Sequence, residues 1–172
     1  MKTRLDAGFF KRDALDIAPQ LLGRQLVRQF EDGSRLTLDI SEVEVYRGEE
    51  DLGCHAAKGR TPRTEVMYLE GGRVYVYLIY GMYWLLNITT GPANHPQAIL
   101  IRGTRQLAGP GRIGKALHLD KSFYGEELTT SPRLWVASNG LTHGDIITLP
   151  RVGIDYAGTY WSQIPWRYCL KP

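Results

Sequence analysis

The run Ser41-Glu42-Val43-Glu44-Val45-Tyr46 alternates polar and apolar residues with period two, the signature of a half-buried strand. Val43 and Val45 then face a core, and Glu42, Glu44 and Tyr46 share the opposite face. The same reasoning predicts strands over 24–30 and 35–46, joined at an Asp32-Gly33 turn signal. Apolar strands follow over 73–80, 83–90 and 97–102, with short ones over 134–138, 146–149 and 167–170. Helical patterning is sparse. Phe9-Phe10 leads into a short helix ending near Leu21-Leu22, with Pro19 in its first turn and Gly23 at its C-terminal cap. Thr64 suits the N-cap of a short helix over 64–69, and Gly109-Pro110-Gly111 opens another through about Leu119. Residues 47–64 read as loop, and 121–133 as the most flexible segment. Tyr80-Gly81-Met82-Tyr83 reads as a two-residue hairpin of type II′, with Gly first. Strands outnumber helices without strict βαβ alternation. This predicts an α+β fold: a curved, mostly antiparallel sheet with a protruding β-hairpin and few short helices.

Length and composition narrow the class. A chain of 172 residues, 43% hydrophobic and 23% charged, is expected to form one domain over 1–172 with a sizeable core. No apolar run reaches the length of a membrane span, so no membrane partner is expected. Met1-Lys2-Thr3-Arg4-Leu5-Asp6 lacks the apolar stretch of a signal peptide. The expectation is a protein that is not secreted: cytoplasmic, at the nucleoid, in a bacterium, or nuclear in a eukaryote. Two cysteines, Cys54 and Cys169, are too few for a disulfide scaffold. Cys54-His55 has no metal-ligand spacing around it, and His55, His95, His118 and His143 form no i, i+4 pair, so no metal is expected. Net charge is only +3, but it is segregated. Residues 42–51 carry five acids and one base, and 102–121 carry five bases and one acid. Such segregation suits a chemical centre beside a phosphate-gripping surface, or arises by chance on a solvated one.

Candidate chemistry is concentrated in a few places. A carboxylate on a rigid strand can activate water as a general base, although the 41–46 run taken alone reads rather as a solvated strand face. Glu42 and Glu44, roughly 6.5–7 Å apart at i, i+2, do not suit a glycosidase pair, because neighbours on one strand rarely flank a substrate from both sides. Tyr75, Tyr77, Tyr80, Tyr83 and Trp84 crowd one hairpin. Aromatic rings stack on bases, and they also fill cores as cross-strand ladders. Tyr75 and Tyr77 share a face and should be partly core. Tyr80 abuts the turn, where a ring is suited to wedging between base pairs. Gly109-Pro110-Gly111-Arg112-Ile113-Gly114-Lys115-Ala116 approaches a phosphate loop but fails at its end. Ala116 cannot ligate Mg²⁺, and Pro110 lacks an amide. Its bases can still hold a DNA phosphate at a helix start.

Several stretches together resemble the alkyladenine (N-methylpurine, 3-methyladenine) DNA glycosylase family. They are Glu42-Val43-Glu44-Val45-Tyr46, Asp51 through His55, Arg60-Thr61-Pro62-Arg63 and the run from Tyr75 through Tyr83. They continue with Asn87-Ile88, Leu100-Ile101-Arg102, Gly109-Pro110-Gly111, Lys121-Ser122-Phe123, Arg151-Val152-Gly153-Ile154 and Pro165-Trp166-Arg167-Tyr168. The resemblance runs from about Phe9 to Leu170, in order.

That resemblance implies a monofunctional hydrolase of base excision repair. It would flip damaged purines (3-methyladenine, 7-methylguanine, with hypoxanthine and ethenoadenine in question) from double-stranded DNA and cleave the N-glycosidic bond with water. Glu44 falls on the catalytic glutamate and Arg102 on the arginine that helps place the water. Tyr80 falls on the intercalating tyrosine, and Tyr46, His55 and Tyr77 on residues lining the base pocket. Asn87 falls on the asparagine that disfavours normal guanine, and the carbonyl near Val152 on a further water contact. Arg63, Arg112 and Lys115 are expected on the DNA backbone. No lysine matches a Schiff-base position, so no strand-cleaving step is expected. Neither is a cofactor, and the protein is expected to act as a monomer. Trp84-Leu85-Leu86 and the 91–96 loop are this chain's own and bear on lesion range. The rival is a non-catalytic nucleic-acid-binding module of the same fold, which would be expected to lose Glu44 or Arg102.

Overall fold

The computed structural model describes residues 3–138 and 144–172. Among the described residues its frame is a nine-stranded, open antiparallel sheet with four short α-helices, as the strand-rich pattern predicts. The strands are β1 Thr3–Arg4, β2 Gln25–Gln29, β3 Arg35–Arg47, β4 Val74–Ile79, β5 Tyr83–Thr90, β6 Gln97–Thr104, β7 Leu134–Ser138, β8 Ile146–Leu149 and β9 Arg167–Leu170. They lie in the order β1-β7-β2-β3-β6-β5-β4, with β9 joined to β3 and β8 to β9. The helices are α1 Ala7–Phe10, α2 Ala14–Leu21, α3 Pro110–Ala116 and α4 Thr159–Gln163.

Strand β3 organises the molecule. Its first half pairs with β2, and its second half pairs with β6 on one side and β9 on the other. The register slips on both sides of Glu42. A bulge of this kind bends a strand and increases its twist, so β3 passes from one part of the sheet to the other while keeping Val43 and Val45 fully buried. Helix α2 packs on β3, sinking Ile17, Ala18 and Leu21 into a core shared with Leu38, Ile40, Val74, Ile88, Ile99 and Ile101.

Four local expectations need correction. Pro19 lies late in α2, not in its first turn, because Asp13 caps the helix by accepting from the Leu15 N–H. Asp13 is held there by Arg47, at 2.6 Å. Helix α3 stops at Ala116, short of Leu119. His118, with φ +52°, turns the chain there, donating its N–H to the Lys115 carbonyl while Leu119 donates to that of Gly114, a Schellman-type end. The 64–69 helix is a 3-10 turn over Glu65–Tyr68, and the Thr64 hydroxyl bonds the Gly59 carbonyl instead of capping it. The 121–133 segment is pinned, not loose. Phe123 and Leu128 are buried, Arg133 pairs with Glu126 at 2.7 Å and stacks on Phe123. At the free edge of β4, Val74 also donates its N–H to the Glu126 carbonyl and accepts the Gly125 N–H on its own carbonyl. A 3-10 turn over His55–Lys58 interrupts the 47–64 loop.

Gly114 explains the glycine-rich stretch. A Cβ there would lie 1.9 Å from the Trp84 carbonyl oxygen, so glycine is what lets α3 rest directly on β5. The resemblance to a phosphate loop is a consequence of helix–strand packing.

At its left-handed φ, His118 carries a strain of roughly 1–2 kcal/mol that glycine would not. His118→Gly is therefore expected to raise the melting temperature slightly or leave it unchanged, despite removal of the ring contact with Phe30. A melt several degrees lower would show that the side-chain contact outweighs the strain.

Candidate active site

Glu44 has no exposed surface at all, which overturns the solvated-face reading of its strand. Each of its oxygens has a partner. Oε2 accepts the Val152 N–H at 2.7 Å, and Oε1 accepts the Tyr46 hydroxyl at 3.0 Å. Arg102, on the neighbouring strand β6, brings its guanidinium to 3.5 Å from Oε1. Burial raises the Glu44 pKa above the usual carboxylate range, while Arg102, the Val152 amide and Tyr46 oppose that rise. Glu42 behaves differently. Set off by the bulge, it pairs with Arg167 at 2.8 Å, so the two carboxylates do not act on one space. Of the acids in 42–51, Glu42, Glu44 and Asp51 each face an arginine. The acidic run is therefore largely neutralised by partners distant in sequence.

Tyr46, Arg102 and Val152, the three residues that hold Glu44, border a cavity of about 430 Å³ lined also by His55, Tyr77, Asn87 and the hairpin tip, and Glu44 itself lies behind that lining. That size falls in the range of about 300–1,000 Å³ typical of small-molecule pockets. Strand β4 sets the aromatic wall. Tyr75 is buried, and Tyr77 presents its ring edge-on to His55 at 4.7 Å. His55 Nδ1 is hydrogen-bonded to the Tyr75 hydroxyl at 2.7 Å. Burial, with Arg63 and Lys58 nearby, pulls the His55 pKa down to about 4, so the ring is neutral near pH 7. Burial likewise pushes the Tyr77 phenol up to about 12. Asn87 sits opposite Tyr75 in the β4–β5 pairing and donates to the Tyr75 carbonyl at 3.3 Å, fixing its amide where it borders the cavity.

The hairpin between β4 and β5 projects three large apolar side chains: Tyr80 at 87% exposed, Met82 at 65% and Leu78 at 43%. The turn differs from the type II′ expectation. Tyr80 and Gly81 both have positive φ, and Met82 donates to the Ile79 carbonyl, as in a type I′ turn. Tyr80 is thus the first central residue of the turn, held outward by a strained backbone. Arg63 lies with its guanidinium 5.2 Å over the Tyr77 ring. Arg112 and Lys115 are exposed on α3. The first residue of α3, Pro110, borders the cavity, and Lys115 borders a smaller hollow together with Met82 and Tyr83. His143 lies outside the described residues.

Two features had no signature in the sequence. One is the N–H of Val152, which binds Glu44 where the resemblance pointed only to a carbonyl near that residue. The other is Tyr156, whose ring is 71% exposed while it borders the cavity and whose hydroxyl donates to the Gly53 carbonyl at 3.2 Å.

A buried carboxylate with two hydrogen-bond donors and a facing arginine, all three from residues that border an aromatic cavity beneath a projecting tyrosine, is suited to act on a flat ring held there. Comparison with known proteins gives the family. The Methylpurine-DNA glycosylase family matches residues 8–109 and 103–172. A relative from Myxococcus xanthus (strain DK1622), named "Putative 3-methyladenine DNA glycosylase", is 43% identical over 97% of this chain and 90% of its own length. Relatives of the same name from Desulfitobacterium hafniense (strain Y51) and Natranaerobius thermophilus are 39% and 36% identical over 98% of the chain, covering 95% and 96% of their own lengths. The chain belongs to the methylpurine-DNA glycosylase family. It is accordingly a hydrolase of the DNA glycosylase class.

Proposed function

We propose that the protein flips alkylated purines, 3-methyladenine and 7-methylguanine foremost, out of duplex DNA and hydrolyses their N-glycosidic bonds with water activated by Glu44. The observation that carries this reading is the setting of Glu44: fully buried, hydrogen-bonded at 2.7 Å and 3.0 Å, and facing Arg102 beside an aromatic cavity. Alkylation at a ring nitrogen makes the base cationic and a good leaving group. As the bond to C1′ breaks, positive charge develops on the sugar. An anionic Glu44 both takes a proton from the attacking water and stabilises that charge, while Arg102 orients the water. The cationic base gains by stacking on Tyr46 and Tyr77 and meets a neutral His55 rather than a second positive charge. Tyr80 fills the gap left in the duplex. Flipping costs less where alkylation has already weakened pairing. The protein acts as a monomer on one lesion at a time.

The test is chromatographic. Methylated duplex DNA is incubated with the protein, and the released bases and the strands are analysed. Free 3-methyladenine and 7-methylguanine with unbroken abasic strands are expected. Tight binding without any released base would favour the non-catalytic binding module. A broken strand and an enzyme–DNA adduct trapped by borohydride would replace direct hydrolysis with imine chemistry.

Selectivity against normal guanine rests on Asn87, whose amide is fixed by the Tyr75 carbonyl beside the space that the C2 amine of guanine would need. Asn87→Ala is expected to raise guanine release relative to 3-methyladenine release, because the steric exclusion is gone. If both activities fall together and the ratio stays constant, Asn87 is only a structural amide. Arg112 and Lys115 are proposed to neutralise backbone phosphates. Replacing either with a neutral residue should weaken binding to damaged and undamaged DNA alike, with the slope of log K against log salt shallower by about 0.9 for each phosphate left unneutralised. An unchanged slope places them off the DNA.

A further inference from the structure

We infer that Asp51 and Arg151 are positioning residues that hold the Val152 N–H against Glu44 and thereby set the ionisation of the catalytic carboxylate. The inference rests on the proposed role of Glu44. Both side chains are completely buried and joined by two parallel hydrogen bonds, 2.6 Å from Arg151 Nη1 to Asp51 Oδ2 and 2.9 Å from Nη2 to Oδ1. Asp51 is saturated on its other side by the N–H groups of Arg47 and Gly53. Arg151 also donates to the Val45 carbonyl at 2.9 Å and to the Trp161 carbonyl at 3.2 Å, and its guanidinium lies over the Tyr46 and Trp166 rings.

The placement of these bonds suggests more than cohesion. Val45 is the residue after Glu44, and Val152 is the residue after Arg151. One guanidinium thus ties the strand that carries the carboxylate to the loop that carries its donor, and the Val152 N–H completes the link at 2.7 Å. Val152 itself is 44% exposed, so its own side chain supplies little anchoring. Fixing the donor falls to its buried neighbour. A bidentate arginine–carboxylate pair is suited to this because it fixes direction as well as distance.

The charged and titratable groups around Glu44 are Arg102 from β6, Arg167 from β9, Tyr77 from β4, and Tyr46 and Glu42 from its own strand. Of these only Tyr46 touches the clamp, through the Arg151 guanidinium over its ring; Asp51→Asn keeps Arg151 and that contact in place. If the clamp loosens, the anionic form of Glu44 loses the Val152 donor while Arg102, Arg167, Tyr77 and Glu42 stay. Its pKa then rises further, and the acid limb of the rate profile moves to higher pH.

The experiment measures single-turnover base release against pH for wild type, Arg151→Lys, Asp51→Asn and Glu44→Gln, with binding to abasic-site DNA measured in parallel. Lysine keeps the charge but cannot make the two parallel bonds and the Val45 bond together. Arg151→Lys is expected to shift the acid limb upward by about one pH unit, the loss of one charge-assisted hydrogen bond converted to a pKa change, and Asp51→Asn by less, because the unneutralised Arg151 favours the Glu44 anion. Abasic-site affinity should stay near wild type. A folded variant with slower release but an unmoved limb overturns the inference and leaves a purely structural pair. If Glu44→Gln releases base like wild type, the reading of the site fails instead, which keeps the two failures apart. Should neither clamp variant fold, the wild-type protein decides by ¹⁵N NMR. The Val152 amide resonance is expected to titrate with Glu44 and to exchange slowly. A Val152 amide exchanging as fast as its exposed loop neighbours overturns the inference.

Discussion

Glu44→Gln is expected to lose about 10²–10⁴-fold in the single-turnover rate of base release, the usual contribution of a positioned general base, while still binding duplex DNA at least as tightly as wild type. Glutamine keeps the shape and can still accept from Val152 or Tyr46, but it takes no proton and carries no charge to set against the developing cation. Loss of a negative charge facing phosphate accounts for the retained or tighter binding. Glu42→Gln is the internal control. Its carboxylate is committed to Arg167, so its effect on release should be far smaller. Stability should move the other way. Burial raises the Glu44 pKa in the folded state, so the fold binds that proton more tightly than the unfolded chain does. The associated stability is present at low pH and lost as pH rises through the folded-state pKa. Near pH 7 a charged Glu44 burdens the fold, and Glu44→Gln should melt no lower than wild type. A Glu44→Gln protein that releases base at the wild-type rate would end the assignment.

Tyr80→Ala is the second large effect expected. Tyr80 is the most exposed large hydrophobic side chain among the described residues, at 87%, and it is held outward on a left-handed backbone with φ +52°. Such strain persists only where the surroundings impose it, and here it aims a ring away from the protein beside the cavity. If that ring fills the gap in the duplex, it offsets an unstacking cost of a few kcal/mol. Each ~1.4 kcal/mol withdrawn then slows excision about tenfold. The deficit should be greatest for lesions that still pair well and small for the same lesion in single-stranded DNA, where no gap opens. Comparing duplex with single-stranded rates isolates the wedge from general damage to the hairpin. An equal rate on both substrates relative to wild type would make Tyr80 a surface aromatic only.

The strands were legible because each carries a period-two or continuous apolar pattern, and that pattern put Glu44 on a rigid strand; Tyr46, Tyr77 and Asn87 were reached through the resemblance, whose motifs lie on β3, β4 and β5. The misplaced pieces share a cause. The bulge beside Glu42 has no Gly or Pro on β3 itself to announce it; the glycine at that point, Gly103, lies across the pairing on β6, 61 residues on. Pro19 sits late in its helix because Asp13 is pinned by Arg47, 34 residues away. The 121–133 segment looked loose since its order comes from β4 and from Arg133 on Phe123, not from its own periodicity. The Asp51–Arg151 clamp joins residues 100 apart, and local spacing cannot reveal it. A donor supplied by a backbone N–H, as at Val152, leaves no mark in residue type at all. What local pattern leaves out is therefore mostly what tertiary pairing supplies: direction and partners for side chains whose strands are already recognisable.

The most direct measurement is the pH dependence of single-turnover excision by the wild-type protein on a duplex carrying one 3-methyladenine. The rate is expected to fall toward acid through a single ionisation lying above the usual glutamate range, since burial is the largest influence on Glu44, and Glu44→Gln should show a low rate without that ionisation. A wild-type profile that is flat through the acid range, or an ionisation that persists in Glu44→Gln, would contradict Glu44 as the group that activates water.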